Sequence, residues 1–412
     1  MTAEVIGRRR VRATRGPLLL GPAFVAGIAY VDPGNVATNT AAGSTYGYLL
    51  VWVVVCANAL AMLVQYLSAK VGIATGRSLP ELCREHYSRR TSVLLWLQAE
   101  AVALATDLAE VLGGALALHL LFDVPLLAGG VITGVVSMAL LVLQKPETQH
   151  RYERVVIGLL AVIVLGFLWS AVAAGPSPSA TAGGLVPRFD GSESLLLATG
   201  MLGATVMPHA IYLHSALVLH RFDPASKDEA TRVRLLRTTR ADVLIAMGIA
   251  GVVNLSMVLV AAAALHGLGV DSIEDTFTAI GTEVGSAVAI LFALALLASG
   301  FASSSVGTYA GTVILEGFLR RRIALPLRRL LTLAPAVAVL ALGIDPTRAL
   351  VLSQVVLSFG IPFALFPLVR FTRDRALMGR FVNARATTVA ATVTAVVISL
   401  LNGVLLWLTF AG

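Results

Sequence analysis

The chain lacks most of what a soluble protein keeps on its surface. Charged residues fill only 13% of its 412 positions, against about 25% in a typical soluble domain. Only 3 of its 31 basic residues are lysine, and its acids number 23. A solvated surface of the required size cannot be built from that supply, which excludes an ordinary water-soluble enzyme or binding module. Two cysteines, Cys56 and Cys83, exclude a disulfide scaffold. No HExxH, GxSxG or GxxxxGK sequence occurs, so zinc-protease, nucleophile-elbow and phosphate-loop chemistries have no carrier. No low-complexity linker or soluble-domain segment interrupts the apolar runs.

What is present is hydrophobic sequence, 57% of the chain. Runs near or above the roughly 20 residues that a bilayer core demands fall at 17–41, 46–72, 91–120, 124–143, 153–174, 193–219, 241–266, 284–316, 329–344, 347–369 and 386–410. They predict an all-α polytopic membrane protein with eleven transmembrane helices. Basic residues in short cytoplasmic loops should outnumber those outside. With the tail carrying Arg8, Arg9, Arg10, Arg12 and Arg15 inside, 29 of the 31 lie on the inner side, leaving Arg188 and Arg348 outside. The net charge of +8 is therefore a topology signal, and its division among six short segments argues against nucleic-acid binding. The basic tail at 1–16 and the run after it are expected as a retained first helix, not a cleaved leader. Asn254-Leu-Ser256 matches a glycosylation sequon but lies inside a span, where it cannot be modified. The outer segment AGPSPSATAGGLVPRFDGSES reads as irregular, Cys83 as part of an inner loop, and the inner segment HRFDPASKDEATRVRLLRTTR as a site for a short surface helix.

Two runs are spoiled in the same way. The first contains AYVDPGNVA around Pro33 and Gly34, and the sixth contains GATVMPHAIYLHS around Pro208. Proline removes a backbone donor and clashes with the turn before it, and glycine loosens the chain further. The second break lies five spans after the first, so an odd-numbered repeat places the second copy upside down: repeat one about 17–174, repeat two about 193–369, and an extra helix about 386–410, in a single transport domain over 17–412. Paired interrupted helices at matching positions point to a transporter's binding site, because freed carbonyls in a membrane are tolerated only beside a cavity or ligand.

Polar residues gather at both breaks. Asp32, the Asn35 amide and the Ala29 carbonyl share one side of the first; Met207 and the Ala204 carbonyl belong to the second. Oxygen ligands alone suit magnesium or calcium, and a thioether added to them favours softer first-row ions. Gln354, ahead of a proline in the tenth span, is a further candidate ligand. Glu100, Asp107 and Glu110 keep to one broad face of the third span, where three acids fit a proton relay better than a lipid surface. His209 and His214 on the sixth span extend that set, and Arg328 and Arg329 at the edge of the ninth are placed to pair with the acids. Asn254 in the seventh span reads as an interhelical hydrogen bond.

With DPGN, MPH followed by YLHS, and TDLAE at these places, the chain resembles the natural resistance-associated macrophage protein (Nramp) family of proton-coupled divalent metal transporters over essentially its whole length. The resemblance implies a LeuT-like fold and a metal held by Asp32, Asn35, Met207 and the Ala204 carbonyl, with the Ala29 carbonyl and Gln354 joining in particular conformations. It also implies a proton route from Asp32 past His209 towards Asp107 and Glu110, continued by Arg328 and Arg329, with Glu100 and His214 nearby. One departure stands out. Many members read MPHN, and here Ala210 follows His209.

The expected function is secondary import of manganese, iron or a similar divalent ion with protons, in the plasma membrane of a bacterium. The metal and proton are cargo, and no permanently bound cofactor, nucleic acid or obligate protein partner is expected. A sodium-coupled amino-acid transporter of the same fold is the first alternative, and an intramembrane metalloenzyme the second. The latter would need a lasting nitrogen, carboxylate or thiolate cage, for which Asp, Asn and Met are a poor set.

Overall fold

The structure is a computed structural model that describes residues 21–142 and 149–411. The basic tail expected at 1–16 and the inner segment at Lys145 lie outside the described residues. Among the described residues there are helices and no strand. They run α1 (Pro22–Ala29), α2 (Pro33–Tyr46), α3 (Val51–Thr75), α4 (Leu79–His86), α5 (Arg89–Phe122), α6 (Leu126–Val142), α7 (Gln149–Ala174), α8 (Pro178–Gly183), α9 (Gly191–Thr205) and α10 (Pro208–Phe222). After these come α11 (Glu229–Ala264), α12 (Ile273–Glu283), α13 (Ser286–Leu319), α14 (Leu325–Ala341), α15 (Pro346–Arg373), α16 (Arg375–Met378) and α17 (Arg385–Ala411).

Eight stretches are long and apolar enough to cross a membrane: α3, α5, most of α7, α9 with α10, α11, α13, α15 and most of α17. The other expected spans correspond to α6, apolar but only 17 residues long, to the interrupted pair α1 and α2, and to α14, which carries Arg328 and Arg329. Large apolar side chains such as Leu94, Val135, Leu165, Val172, Leu400 and Trp407 point outward, as lipid-facing surfaces require. Inside, small residues let helices meet backbone to backbone. A Cβ on Gly300 of α13 would lie 2.9 Å from the Gly114 nitrogen of α5.

Two local expectations are corrected and a third is refined. The inner segment after His220 carries no separate surface helix: a short 3-10 turn at Pro224–Ser226 leads straight into α11, which begins at Glu229 and so starts twelve residues before the expected span. Leu236 and Thr239 are buried there, so packing extends the helix beyond the apolar run. The outer segment is not wholly irregular, because Ser177 caps α8 through the Ala180 N–H at 3.3 Å. Cys83 sits on a short helix, α4, which a capping box of Ser78 and Glu81 starts, and burial pushes its thiol pKa up.

Candidate functional site

Each broken span ends and restarts at a proline. α1 stops at Ala29 and α2 starts at Pro33; α9 stops at Thr205 and α10 starts at Pro208. The carbonyls of Ala29 and Ala204 each lie four residues before a proline, so neither can meet the N–H that would continue the helix. Asp32 and Met207 occupy the same position in their respective breaks, the N-cap.

Around the first break every group but a few is held. Asp32 Oδ1 accepts the Asn35 N–H at 2.7 Å. The Asn35 amide nitrogen donates to the Tyr30 carbonyl at 3.1 Å and to Asn254 Oδ1 at 2.9 Å. Asn254 in turn donates to the Tyr30 carbonyl at 2.7 Å and accepts from Asn39 at 2.9 Å. Ser299 donates to the Val31 carbonyl at 2.5 Å. What these bonds leave over is oxygen: Asp32 Oδ2, Asn35 Oδ1 and Gln354 Oε1 are buried without a partner. Unpartnered buried polar atoms cost about 1–3 kcal/mol each, and three acceptors with no donor suit a cation.

Gln354 joins the two breaks. It lies so close over Gly34 that a Cβ there would overlap its amide, and its own backbone carbonyl lies equally close to Gly203. Asp32, Asn35, Met207 and Gln354 are all fully buried. The donors offered are thus a carboxylate oxygen, two amide oxygens, a thioether and two freed carbonyls. Among the described residues no three His, Cys, Asp or Glu side chains gather as a metal cage.

Behind the site runs a polar chain along α5. Asp32, Asp107 and Arg329 are charges that face Glu110, and neither oxygen of Glu110 has a hydrogen bond of good geometry; the neighbouring Ser303 donates instead to the Ser299 carbonyl at 2.7 Å. Arg329 of α14 is ion-paired with Asp107 and donates to Ser304 at 2.8 Å. Nearer the Arg89 end of α5, Arg328 holds Glu100 at 2.9 Å. His209 Nδ1 is 3.2 Å from Thr106 Oγ1, beside Asp107, and its Nε2 is unpartnered.

His214 is placed apart from the acids. Its Nδ1 is 2.7 Å from Gln65 Oε1, and the Gln65 amide donates to the Tyr30 hydroxyl, so it belongs to a chain leading back to α1. Asn254 does make interhelical bonds, and they engage the Asn35 amide together with Asn39 and the Tyr30 carbonyl. Tyr30, Asn39, Gln65, Thr106 and Ser299 escaped sequence reasoning. Lone polar residues in apolar runs carry no sign of which helix they face.

The sequence profile of the natural resistance-associated macrophage protein-like family matches residues 23–408. Curated relatives named divalent metal cation transporter MntH include that of Mycobacterium leprae, 57% identical over 95% of this chain and 92% of its own, and that of Bacillus subtilis, 49% identical over 97% and 95%. A crystal structure of a variant Eremococcus coleocola manganese transporter is similar at a TM-score of 0.83 with 33% identity, covering 93% of this chain and 84% of that one. A nucleobase-cation-symport-1 family transporter, 19% identical over 94% of this chain and 90% of its own, shares the fold at a TM-score of 0.61.

Proposed function

This chain belongs to the natural resistance-associated macrophage protein-like family, and from that premise we propose that it imports divalent transition-metal ions, manganese or iron, coupled to protons and by alternating access. It does so in a bacterial plasma membrane, with eleven spans and the N-terminus inside. The observation that carries this reading is the donor set of the two breaks: Asp32, Asn35, Gln354, Met207 and the carbonyls of Ala29 and Ala204, with three oxygens left unpartnered. The metal is cargo. A single carboxylate and a thioether hold it firmly enough to select it and loosely enough to release it.

Asp32 serves as ligand and proton carrier, because a metal displaces the proton of a carboxylate it binds. The proton then has two ways off the site. His209 leads towards Thr106 and Asp107, and Glu110 faces both Asp32 and Asp107. Arg329 and Arg328, paired with Asp107 and Glu100, continue the polar route along α5. The half-helices α1, α2, α9 and α10 rock against the remainder to expose the site to each side in turn.

The fold alone does not choose the substrate, since the nucleobase-cation symport relative shares it. The same fold could carry an amino acid with sodium, but the donors here are acceptor oxygens and sulfur, which repel a substrate carboxylate. Manganese uptake into proteoliposomes under an imposed pH gradient tests the reading, with wild type compared with Asp32→Ala and Met207→Ala. Uptake should persist in choline buffer, collapse with a proton uncoupler, vanish in Asp32→Ala, and lose discrimination against calcium and magnesium in Met207→Ala. Sodium-dependent amino-acid uptake would sink it.

A further inference from the structure

Aligned on their prolines, the two breaks correspond residue by residue: Ala29 with Ala204, Tyr30 with Thr205, Val31 with Val206, Asp32 with Met207, and Asn35 with Ala210. Their hydrogen bonding does not correspond. In the first break, the Asn35 N–H is accepted by Asp32, the Tyr30 carbonyl receives two amide donors, and the Val31 carbonyl receives a hydroxyl. Only the Ala29 carbonyl is left for a ligand.

In the second break, Met207 makes no side-chain cap, so the Ala210 N–H has no acceptor in the position where Asp32 supplies one to Asn35. Among the described residues, no donor reaches the carbonyls of Ala204, Thr205 or Val206. Val206, Ala204 and Ala210 are fully buried and Thr205 nearly so. More than nine in ten buried backbone groups in proteins find a partner in protein or ordered water. This break therefore concentrates backbone groups that only water or cargo can serve, and they include both acceptors and a donor, the two to four polar partners that a buried water requires.

The side chain at position 210 bears on one of these groups, the Thr205 carbonyl. An asparagine there, related to Ala210 as Asn35 is to itself, would donate to the Thr205 carbonyl as Asn35 donates to Tyr30 and would turn its oxygen into the site. We propose that residue 210 is a specificity-determining position that sets the hydration of the transported ion. With Ala210, the second break holds the ion partly through water on the Thr205 and Val206 carbonyls. With asparagine, an amide oxygen replaces one such water. Magnesium gives up its water reluctantly, so a site that keeps more water on the ion discriminates less against it. The inference rests on the metal-transport reading above.

The test uses the purified full chain and Mn²⁺ itself, whose unpaired electrons report bound water through coupling to ¹⁷O-labelled solvent. Ala210→Asn should carry one manganese-bound water fewer than wild type, bind Mn²⁺ roughly threefold to tenfold more tightly, and transport it with weaker inhibition by magnesium. Ala210→Val, which fills space without an amide, should keep the wild-type water count. An unchanged count in Ala210→Asn, or loss of binding there while Ala210→Val still binds, overturns the proposal. If wild type binds no Mn²⁺, the metal-transport reading fails with it; if wild type binds and Ala210→Asn behaves identically, only this inference fails.

Discussion

An amide oxygen serves a cation only if something fixes which way it points. Asn35 is fixed by Asn254, whose Oδ1 accepts from the Asn35 side-chain nitrogen and whose own side-chain nitrogen donates to the Tyr30 carbonyl. Partners behind a metal ligand typically matter by about 10–100-fold in affinity. Asn254→Ala is therefore expected to weaken Mn²⁺ binding, measured calorimetrically, by an amount in that range. Asn39→Ala should weaken it less, because Asn39 donates to the same oxygen without holding Asn35. The Arg329 pair with Asp107 belongs to the same scale but concerns stability. Both side chains are almost wholly buried, and removing one partner of such a pair costs about 3–5 kcal/mol, whereas replacing both with apolar residues is far milder. Arg329→Met should lower the unfolding midpoint in detergent sharply, and adding Asp107→Leu should restore most of it while transport stays impaired. Asp32, Asn35 and Met207 were legible in the sequence because each stands within two residues of a proline in an apolar run. Asn254 was visible only as a polar residue. Its role depends on contact with a residue 219 positions away, which no local pattern encodes.

At the scale of the helix, the breaks are made by proline and should be mended by removing it. Pro208→Ala would give the Ala204 carbonyl the N–H it lacks and relieve a clash of about 3 kcal/mol that proline imposes on a continuous helix. The expected outcome is a protein at least as heat-resistant as wild type whose Mn²⁺ uptake falls at least roughly tenfold, the scale of a lost ligand. Pro335, inside α14 and away from either break, provides the control: Pro335→Ala should leave uptake near wild type. Reduced stability with normal uptake in Pro208→Ala would mean that the break is a packing kink and not part of the site. Helix identity was readable wherever hydropathy ran unbroken, as in α3 or α13. The early start of α11 was not, since Glu229, Arg232, Arg234 and Arg237 look like a loop until Leu236 and Thr239 are seen buried against the protein. α8 was hidden by its Pro, Ser and Gly content. Its Ser177 cap is a signal that could have revealed it.

Across the whole molecule, lipid-facing apolar side chains surround a polar file that starts at the two breaks and follows α5 through Glu110, Asp107 and Glu100. Charges buried this way in a membrane protein have a use that surface charges lack: ions passing along them cross the transmembrane field. If a divalent metal enters with one proton, as proposed, three charges move inward, and each is worth about 2.3 kcal/mol per 100 mV. An inside-negative potential of that size would add roughly 7 kcal/mol of drive per cycle, more than most pH gradients supply. Initial Mn²⁺ uptake into proteoliposomes should therefore rise steeply as a potassium gradient with valinomycin is used to make the interior negative, at constant pH on both sides. Asp32→Ala should remove the response along with the flux. Uptake indifferent to voltage would require charge to leave as metal enters, and the proton would then be moving against the ion instead of with it. The same vesicles report orientation, because a cysteine placed at exposed Ser179 should react with an impermeant thiol reagent from the side on which metal enters, and one at exposed Arg321 from the side on which it leaves.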